Sequence, residues 1–407
     1  MLKRTFSVIS LLIVASLMLA ACVPGGTTST GPETIRIYSS LPMTGSSAGQ
    51  ITTVINAINL ALDQQITDRT ICDGKFKIDY VPLDDATAAA GQWDATKEAE
   101  NANRAVADPE ALVYIGTFNS GAAKVSIPIL NAANLAMISP ANTNVGLTKA
   151  FNPGEPEVYY PNGKRNYMRV VTADDVQGLV GAKWMASLGA KTVYILDDTQ
   201  VYGKGLADVF EKSAAGAGLT VLGRDGIDGK AADYKALAAK VAGTSPDGIY
   251  FGGITQQNAG QLLKDIRGAG ITAIFMGADG IKEEAFIDAA GADVAEGVYV
   301  TAAGTPQEDL PEKGKKFYTD YEAKFNGKPE VYAIYGYEAA SVAIAALSSV
   351  CKKDRVAVLD AMIGTKNFSG VLGTWSFDAG GDTSLSDMIG ARITSGAFED
   401  VGLLQFP

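Results

Sequence analysis

Four junctions between a predicted strand and a predicted helix carry side chains that could hold a small charged molecule. They are YIGTFNSG at 114–121, AMISPANTN at 136–144, YILDDTQVYGKGLADVF at 194–210 and IFMGADG at 274–280. Ser120 lies where a helix begins, and the unpaired N–H groups and dipole of a helix N-terminus favour an anion such as a carboxylate. The Asp279 carboxylate would be a partner for an ammonium group if it faced a cleft.

Each of these side chains also has a purely structural interpretation. Ser120 could be an ordinary N-cap, Tyr202 a packing aromatic, and Asp279 a turn residue before a glycine. The polar residues at 139–144 favour a turn, yet open parallel sheets bind ligands just beyond the carboxyl ends of their strands. The junctions alone leave both interpretations open.

The composition argues against catalysis and against a metal site. The chain has no histidine, which removes the commonest general base and metal ligand, and it has no cluster of cysteines at metal-binding spacing. Acid pairs occur at 84–85, 174–175 and 197–198. Since acids commonly cap helices, we interpret these pairs as caps or groups at the edge of a cleft. The sequence predicts no enzyme, no cofactor and no metal.

Short apolar strands alternate with helical patterns along most of the chain. Predicted strands lie at 34–38, 76–83, 112–115, 135–138, 167–171, 192–196, 219–222, 248–251, 274–277 and 297–301. This alternation is typical of parallel sheets covered by helices on both faces. Because open twisted sheets rarely grow so large, we expect an α/β fold of two doubly wound parallel-sheet lobes.

The C-terminal part predicts helices at 312–325, 332–350 and 355–363 and a late strand at 371–377. These elements must pack onto sheets already begun, which indicates a chain that crosses between the lobes more than once. The cluster FNPGEPEVYYPNGK at 151–164 is either a boundary or a surface loop of the first lobe. We expect no membrane-spanning stretch after the N-terminal leader.

The N-terminus predicts export. Lys3 and Arg4 precede an apolar run at 7–18 and the quartet LAAC at 19–22, which resembles the lipobox of bacterial lipoproteins. That resemblance implies a signal peptide at 1–21, a lipid on Cys22 as the only membrane contact, and attachment to the outer face of the membrane or a periplasmic location. The alternative is an ordinary secretory signal cut near residue 21. Residues 22–33 are small and polar and predict a flexible tether.

The net charge and the cysteine count restrict the possible binding partners and the cellular compartment of the protein. Removing residues 1–21 takes away two basic residues, which leaves 32 against 45 acids and a net charge of 32 − 45 = −13. Such an acidic body argues against nucleic acid and against anionic lipid. Besides Cys22 the chain has Cys72 and Cys351, an even pair that predicts a disulfide in an oxidising compartment, with two buried thiols as the alternative.

Seven short motifs together give the chain a family resemblance from about residue 34 to near its C-terminus. They are LPMTG at 41–45, LDDAT at 83–87, YIGTFNSG at 114–121, SPANT at 139–143, QVYGKGLA at 200–207, YFGG at 250–253 and MGADG at 276–280. The chain resembles the type I periplasmic binding proteins of the leucine, isoleucine and valine receptor kind, the ligand-capturing components of ABC importers.

The resemblance implies two lobes that close around an amino acid. They would comprise residues 34–173 with 302–376 and residues 174–301 with 377–407, joined by three crossings near Asp174, Thr301 and Phe377. It also implies a monomer that delivers its ligand to an ABC permease, and it places the disulfide within the first lobe. The alternatives are a sensing module for a signalling receptor, or a binder of amides or small carboxylates.

The resemblance also assigns ligand contacts. Ser120 and Thr143 would bind the α-carboxylate. The ammonium group would be bound by the Ala141 carbonyl, the Thr143 hydroxyl and Asp279, which stands where the family's receptor has glutamate. Tyr202 and Tyr332 would line the ligand.

Three further positions bear on the choice of ligand. Gln50 and Ile254 stand where the receptor has tyrosines, so that Gln50 would contact the ligand and widen the choice beyond aliphatic amino acids. Trp93 either reaches the rim of the cleft or packs in the interior.

Overall fold

The computed structural model describes residues 31–406. The predicted signal peptide, Cys22 and most of the predicted tether therefore lie outside the described residues. The described chain contains fifteen strands and twelve α-helices, together with short 3-10 turns. The fold prediction is confirmed: the elements form two lobes, each built on a mainly parallel sheet.

The first lobe is built on a six-stranded sheet in the order β2-β3-β1-β4-β5-β6. Its strands are β1 (Glu33–Leu41), β2 (Thr70–Ile71), β3 (Phe76–Asp84), β4 (Ala111–Gly116), β5 (Ala136–Ser139) and β6 (Tyr167–Arg169). All neighbours are parallel except the short β2, which pairs antiparallel with β3. Every residue of β4 and β5 is buried, as expected of strands covered on both faces.

The helices that follow these strands are α1 (Ala48–Gln65), α2 (Ala95–Ala107) and α3 (Ser120–Ala132). The start of α2 shows how the sequence fixes a helix boundary. Asp94 accepts a hydrogen bond from the Lys97 N–H at 3.0 Å, which satisfies one of the free donors of the first turn. The proline-rich segment at 151–164 lies between β5 and β6, so it is a loop of the first lobe and not a boundary.

The second lobe is built on a seven-stranded sheet in the order β15-β14-β11-β10-β9-β7-β8. Its strands are β7 (Thr192–Asp197), β8 (Thr220–Gly226), β9 (Gly248–Gly252), β10 (Ile274–Gly277), β11 (Tyr299–Ala303), β14 (Met388–Thr394) and β15 (Ala397–Leu403). Its helices are α4 (Asp174–Ser187), α5 (Val201–Ala214), α6 (Lys235–Ala242), α7 (Ala259–Gly268), α8 (Glu284–Ala290) and α9 (Ala292–Ala295). The hairpin of β14 and β15 pairs antiparallel, so this sheet is mixed rather than wholly parallel.

The chain passes between the two sheets three times, after β6, after β11 and before β14. Between the second and third passages it forms α10 (Glu312–Phe325), α11 (Ala333–Val350) and α12 (Arg355–Ile363), which pack on the first lobe. The exact residue bounds proposed for the two lobes stay a prediction.

The prediction that a late strand at 371–377 packs onto one of the large sheets is wrong. The segment forms a separate hairpin of β12 (Phe368–Gly370) and β13 (Gly373–Trp375) that joins neither large sheet. Glu338 on α11 holds it by accepting from Trp375 Nε1 at 2.6 Å and from the Val371 N–H at 2.9 Å. These buried side-chain bonds take the place of further strand pairing.

Helix α11 corrects the expectation that no later stretch resembles a membrane span. Within the part of the chain that the structure describes, α11 is the one helix whose length and mean hydropathy of 1.3 would suit a span. However, 72% of it is buried inside the protein, where it packs along α1. Its apolar character is that of a core helix.

A disulfide joins Cys72, in the turn between β2 and β3, to Cys351 at the end of α11. The two cysteines are separated by 279 residues, and both belong to elements of the first lobe. The bridge therefore fastens the edge of the first sheet to a helix that the chain adds only after it has built most of the second lobe.

We predict that the double variant Cys72→Ser, Cys351→Ser is less stable by about 2–4 kcal/mol, because a long closed loop restricts the unfolded chain. Urea unfolding monitored by circular dichroism measures this loss. The cleft described below should be unaffected, since neither cysteine lines it. An unchanged unfolding midpoint would contradict the prediction.

Candidate functional site

Ser120 is the first residue of α3, directly after the N-cap Asn119. It therefore is not the N-cap that its plain structural interpretation required. Its side chain is buried, with 2% exposed, and its hydroxyl accepts a weak hydrogen bond from the Asn144 N–H at 3.4 Å. The hydroxyl and the first N–H groups of α3 thus lie side by side at the carboxyl end of β4.

The turn at 139–144 is held by its own side chains. Ser139 Oγ accepts from the N–H groups of Ala141 at 3.1 Å and Asn142 at 2.8 Å, and Asn142 Nδ2 donates to the Phe118 carbonyl at 2.9 Å. Thr143 differs from these neighbours. Among the described residues, its buried Oγ1 has no hydrogen-bond partner. The turn is therefore a rigid frame that does not itself bind the Thr143 hydroxyl, which lies close enough to the Asp174 carboxylate to lower its pKa.

Asp279 lies in the 3-10 turn Asp279–Ile281 after β10, and its carboxylate is buried between two tyrosines. Tyr202 Oη donates to its Oδ1 at 2.9 Å, and Tyr332 Oη donates to its Oδ2. Burial raises the pKa of Asp279 above its ordinary value, and the two hydroxyl donors oppose that rise. Burial and the nearby Asp279 charge raise the pKa of both tyrosines, so each hydroxyl stays a donor.

This cluster bridges the two lobes. Tyr332 immediately precedes α11 of the first lobe, whereas Asp279 and Tyr202 belong to the second. Two further hydrogen bonds cross the cleft: Asn144 Nδ2 to the Val201 carbonyl at 3.0 Å, and Gln257 Nε2 to Gln92 Oε1 at 2.6 Å. The lobes are therefore closed against each other.

A cavity of about 20 Å³ remains where the closed lobes meet. Its lining comprises Phe118, Asn119, Ser120, Ala141, Tyr202, Ile254, Asp279, Gly280 and Tyr332. Five of the seven residues predicted to bind ligand are in this set. Thr143 lies directly beside them in the 139–144 turn but not in the lining. Gln50 is buried on α1 and does not line the cavity, so its role as a ligand contact stays a prediction.

Trp93 reaches the rim of the cleft. It lines an adjoining cavity of about 10 Å³ together with Ser120, Tyr202 and Ile254. Its ring covers Gly121 so closely that a Cβ atom on that glycine would lie 2.6 Å from it. Sequence reasoning could have found this contact from the glycine that follows Ser120, because a glycine often marks a close approach.

The acid pair at 197–198 also has a defined place. Asp198 accepts from the Gln200 N–H at 3.0 Å and the Ile254 N–H at 3.1 Å, and burial raises its pKa to about 7. It thus ties two loops at the edge of the cleft, as predicted for a cleft-edge group. A larger cavity of about 630 Å³, lined in part by Lys282, Glu330 and Tyr335, contains none of the predicted ligand residues.

Comparison with known proteins identifies the family of this chain. The sequence profile of the periplasmic binding proteins matches residues 34–397. The chain belongs to this family of solute-binding transport proteins. Its relatives include the Leu/Ile/Val-binding protein homolog 2 of Brucella abortus, 33% identical over 291 residues that cover 71% of this chain and 73% of the relative.

A second relative aligns with nearly the whole length of this chain. It is the leucine-, isoleucine-, valine-, threonine- and alanine-binding protein of Pseudomonas aeruginosa, 26% identical over 382 residues, with 94% of this chain and 92% of the relative covered. Among solved structures, LivJ of Streptococcus pneumoniae in complex with isoleucine has a TM-score of 0.78 and 25% identity, with 91% and 99% of the chains covered. A leucine-binding protein of Thermotoga maritima has a TM-score of 0.79 and 24% identity, with 91% and 98% covered, and shows the fold.

Gly205 on α5 offers a test of closure in this binding protein. A Cβ atom there would collide with the side-chain amide of Asn144 in the opposite lobe. We predict that Gly205→Val holds the lobes apart and therefore enlarges the radius of gyration in small-angle X-ray scattering.

The matched control for this variant is Gly216→Val, since a Cβ atom at Gly216 meets nothing within 4 Å. The control should keep the wild-type scattering curve. Equal radii for Gly205→Val and the wild type, both measured with a mixture of amino acids, would contradict the prediction.

Proposed function

We propose that this binding protein captures an amino acid, branched-chain or related, between its lobes and delivers it to the permease of an ABC importer. The observation that supports the proposal is the pair of opposite groups across one small cavity. The N-terminus of α3 with Ser120 suits a carboxylate, and Asp279 suits an ammonium group. A zwitterion needs both, and the two come from different lobes, so that the ligand would select the closed form.

The relatives support the amino-acid assignment. Two of them are named for leucine, isoleucine and valine, and one solved neighbour holds isoleucine. Within the cavity we assign the carboxylate to Ser120 and Thr143, and the ammonium group to the Ala141 carbonyl, Thr143 and Asp279. Tyr202 and Tyr332 would line the ligand, with Gln50 a further contact.

The protein would bind without turnover, as a monomer. Two short patterns do match serine-hydrolase motifs, GSSAG at 45–49 and SVCK at 349–352. Cys351 in the second pattern is in the disulfide, and Ser349 Oγ donates to the Ala346 carbonyl at 2.8 Å. The chain contains no histidine, so the serine of the first pattern lacks the base that would usually activate it. Neither motif therefore pairs a nucleophile with a base.

A lipid on Cys22 would tether the body to the membrane through residues 22–33. Because that thiol is the only proposed site of attachment, we expect Cys22→Ser to move the protein from the membrane fraction to the soluble fraction of expressing cells. Immunoblotting of the two fractions measures the change. Retention of the variant in the membrane fraction would contradict the lipid anchor.

The central test of the function is Asp279→Ala, measured by isothermal titration calorimetry with L-leucine, L-isoleucine and L-valine. We predict that affinity falls at least about 30-fold, because losing one side of a buried charge pair costs about 2 kcal/mol or more. Asp288→Ala, which changes an exposed acid of the same lobe, is the matched control and should bind as the wild type does.

Melting temperatures without ligand must be similar for the two variants if the fold is intact. Tight wild-type binding of carboxylates that lack an amine, such as 4-methylpentanoate or benzoate, with none of the amino acids, would overturn the proposed function. Unchanged affinity in Asp279→Ala would overturn the assignment of Asp279.

A further inference from the structure

Trp93 lies in the loop between β3 and α2, and the loop holds it in one position. Ala86 and Trp93 form an antiparallel bridge across the loop, and the Asp94 N–H donates to the Asp85 carbonyl at 2.8 Å. Asp94 is also the N-cap of α2, so the residue that follows Trp93 is fixed by the helix. The indole ring is therefore carried by a loop that is closed at its base.

The edge of the indole lies on the first turn of α3. A Cβ atom at Gly121, the second residue of that helix, would lie 2.6 Å from Trp93 Cζ2 and 2.9 Å from Cη2. Glycine thus allows the ring to approach the helix backbone directly after Ser120. The ring therefore forms part of the surface around the site that the proposed function assigns to an amino acid.

The small cavity that Trp93 lines continues the cavity that Asp279 lines. Four residues line both spaces, which measure about 10 Å³ and about 20 Å³: Asn119, Ser120, Tyr202 and Ile254. Asp279 lines only the larger space, and Trp93 lines only the smaller one. The two residues therefore mark different ends of one elongated site. Each space has room for about one water molecule, so the walls lie close together.

The second lobe supplies another wall of the smaller space. Asp198 accepts from the Gln200 N–H at 3.0 Å and from the Ile254 N–H at 3.1 Å, and all three residues line this space with Trp93. Both carboxylate oxygens of Asp198 are thus used to hold the segments that follow β7 and β9. Because the walls belong to different lobes, this end of the site is narrow only while the lobes are closed.

Trp93 differs from the other aromatic residues around the two spaces. Phe118, Tyr202 and Tyr332 are buried, and the two tyrosines donate to Asp279. Trp93 is only partly buried, and it is not part of the apolar cores that the structure describes in the first lobe. Removing its ring would therefore open the end of the site toward solvent without leaving a void in a core.

We propose that Trp93 is a specificity-determining residue that limits the length of the ligand. In the closed protein its indole would stop a bound amino acid at the end of the site remote from Asp279. Because the space between these residues is small, short aliphatic side chains would fit and aromatic side chains would not. This inference rests on the proposed function and narrows its ligand to the smaller amino acids.

Gln92, the neighbour of Trp93, offers a matched control because it contributes to closure and not to the walls of the site. Its Oε1 accepts from Gln257 Nε2 of the second lobe at 2.6 Å, and it lines neither space. Loss of this bond should weaken the closed form equally for every ligand. Gln92→Ala should therefore lower all affinities by a common factor of about two- to tenfold.

The test is isothermal titration calorimetry of the wild type, Trp93→Ala and Gln92→Ala with L-valine, L-leucine, L-phenylalanine and L-tryptophan. We expect the wild type to favour the two aliphatic amino acids. In Trp93→Ala the affinity for L-phenylalanine relative to L-valine should rise at least about tenfold, since even one methylene group can change discrimination by that factor in a closed pocket. In Gln92→Ala this ratio should keep its wild-type value.

A second variant, Trp93→Leu, keeps the proposal testable if Trp93→Ala does not fold. Leucine leaves an apolar side chain at the rim but is shorter than the indole. The affinity ratio should therefore rise in the same direction by a smaller factor. Melting temperatures without ligand measure whether the variants are folded.

The outcomes separate the two proposals. If the wild type binds amino acids and the ratio is unchanged in the Trp93 variants, the role of Trp93 is overturned while the proposed function stands. A common loss for all four amino acids would make Trp93 a closing contact like Gln92, and it would also overturn the length limit. Preference of the wild type for the aromatic amino acids would do the same. If the wild type binds none of the amino acids, both proposals are overturned.

Discussion

The closed form of the molecule depends on one buried carboxylate, that of Asp279, which lies where the two lobes meet. It accepts hydrogen bonds from the hydroxyls of Tyr202 in its own lobe and Tyr332 in the other. A charge in such a place is stable only with donors arranged around it, and the donors come from elements that are remote in sequence. The chain therefore has to bring the turn after β10, the start of α5 and the start of α11 to one point. The three crossings of the chain make this possible.

The sequence predicted most of the scaffold because its local signals and its global packing agree. Strand β10 and helix α12 have the predicted bounds. The strand is a short apolar run flanked by turn residues, and the helix is an amphipathic run that begins after the N-cap Asp354. The β14–β15 hairpin was missed. Its strands carry Arg392, Glu399 and Asp400, which weaken the apolar pattern. The apolar composition of α11 likewise does not show whether the helix lies in a protein core or in a membrane.

The site was predictable only in part, and through resemblance more than through spacing. Ser120, Ala141, Tyr202, Asp279 and Tyr332 meet at one cavity, because the carboxyl ends of neighbouring strands share an edge. The sequence indicates that Asp174 is one of several capping or cleft-edge acids, and only the three-dimensional structure shows that it is fully buried and that Ala173 is the N-cap of its helix. A sequence pattern identifies an acid at a helix start but does not show whether donors surround it. Trp93 was left undecided for a similar reason, since its contact with Gly121 joins segments that no local period connects.

The position of α11 in the chain sets the order in which the molecule can mature. This helix covers α1 of the first lobe, yet it follows strands β7 to β11 of the second lobe in sequence. While the polypeptide emerges, the apolar face of α1 stays without its partner until about residue 333 has appeared, and Cys72 has no partner before residue 351. Most strands of the second sheet have therefore been synthesised before the last helices of the first lobe appear. A chaperone that shields early segments would thus have to hold α1 through the synthesis or export of more than half of the protein.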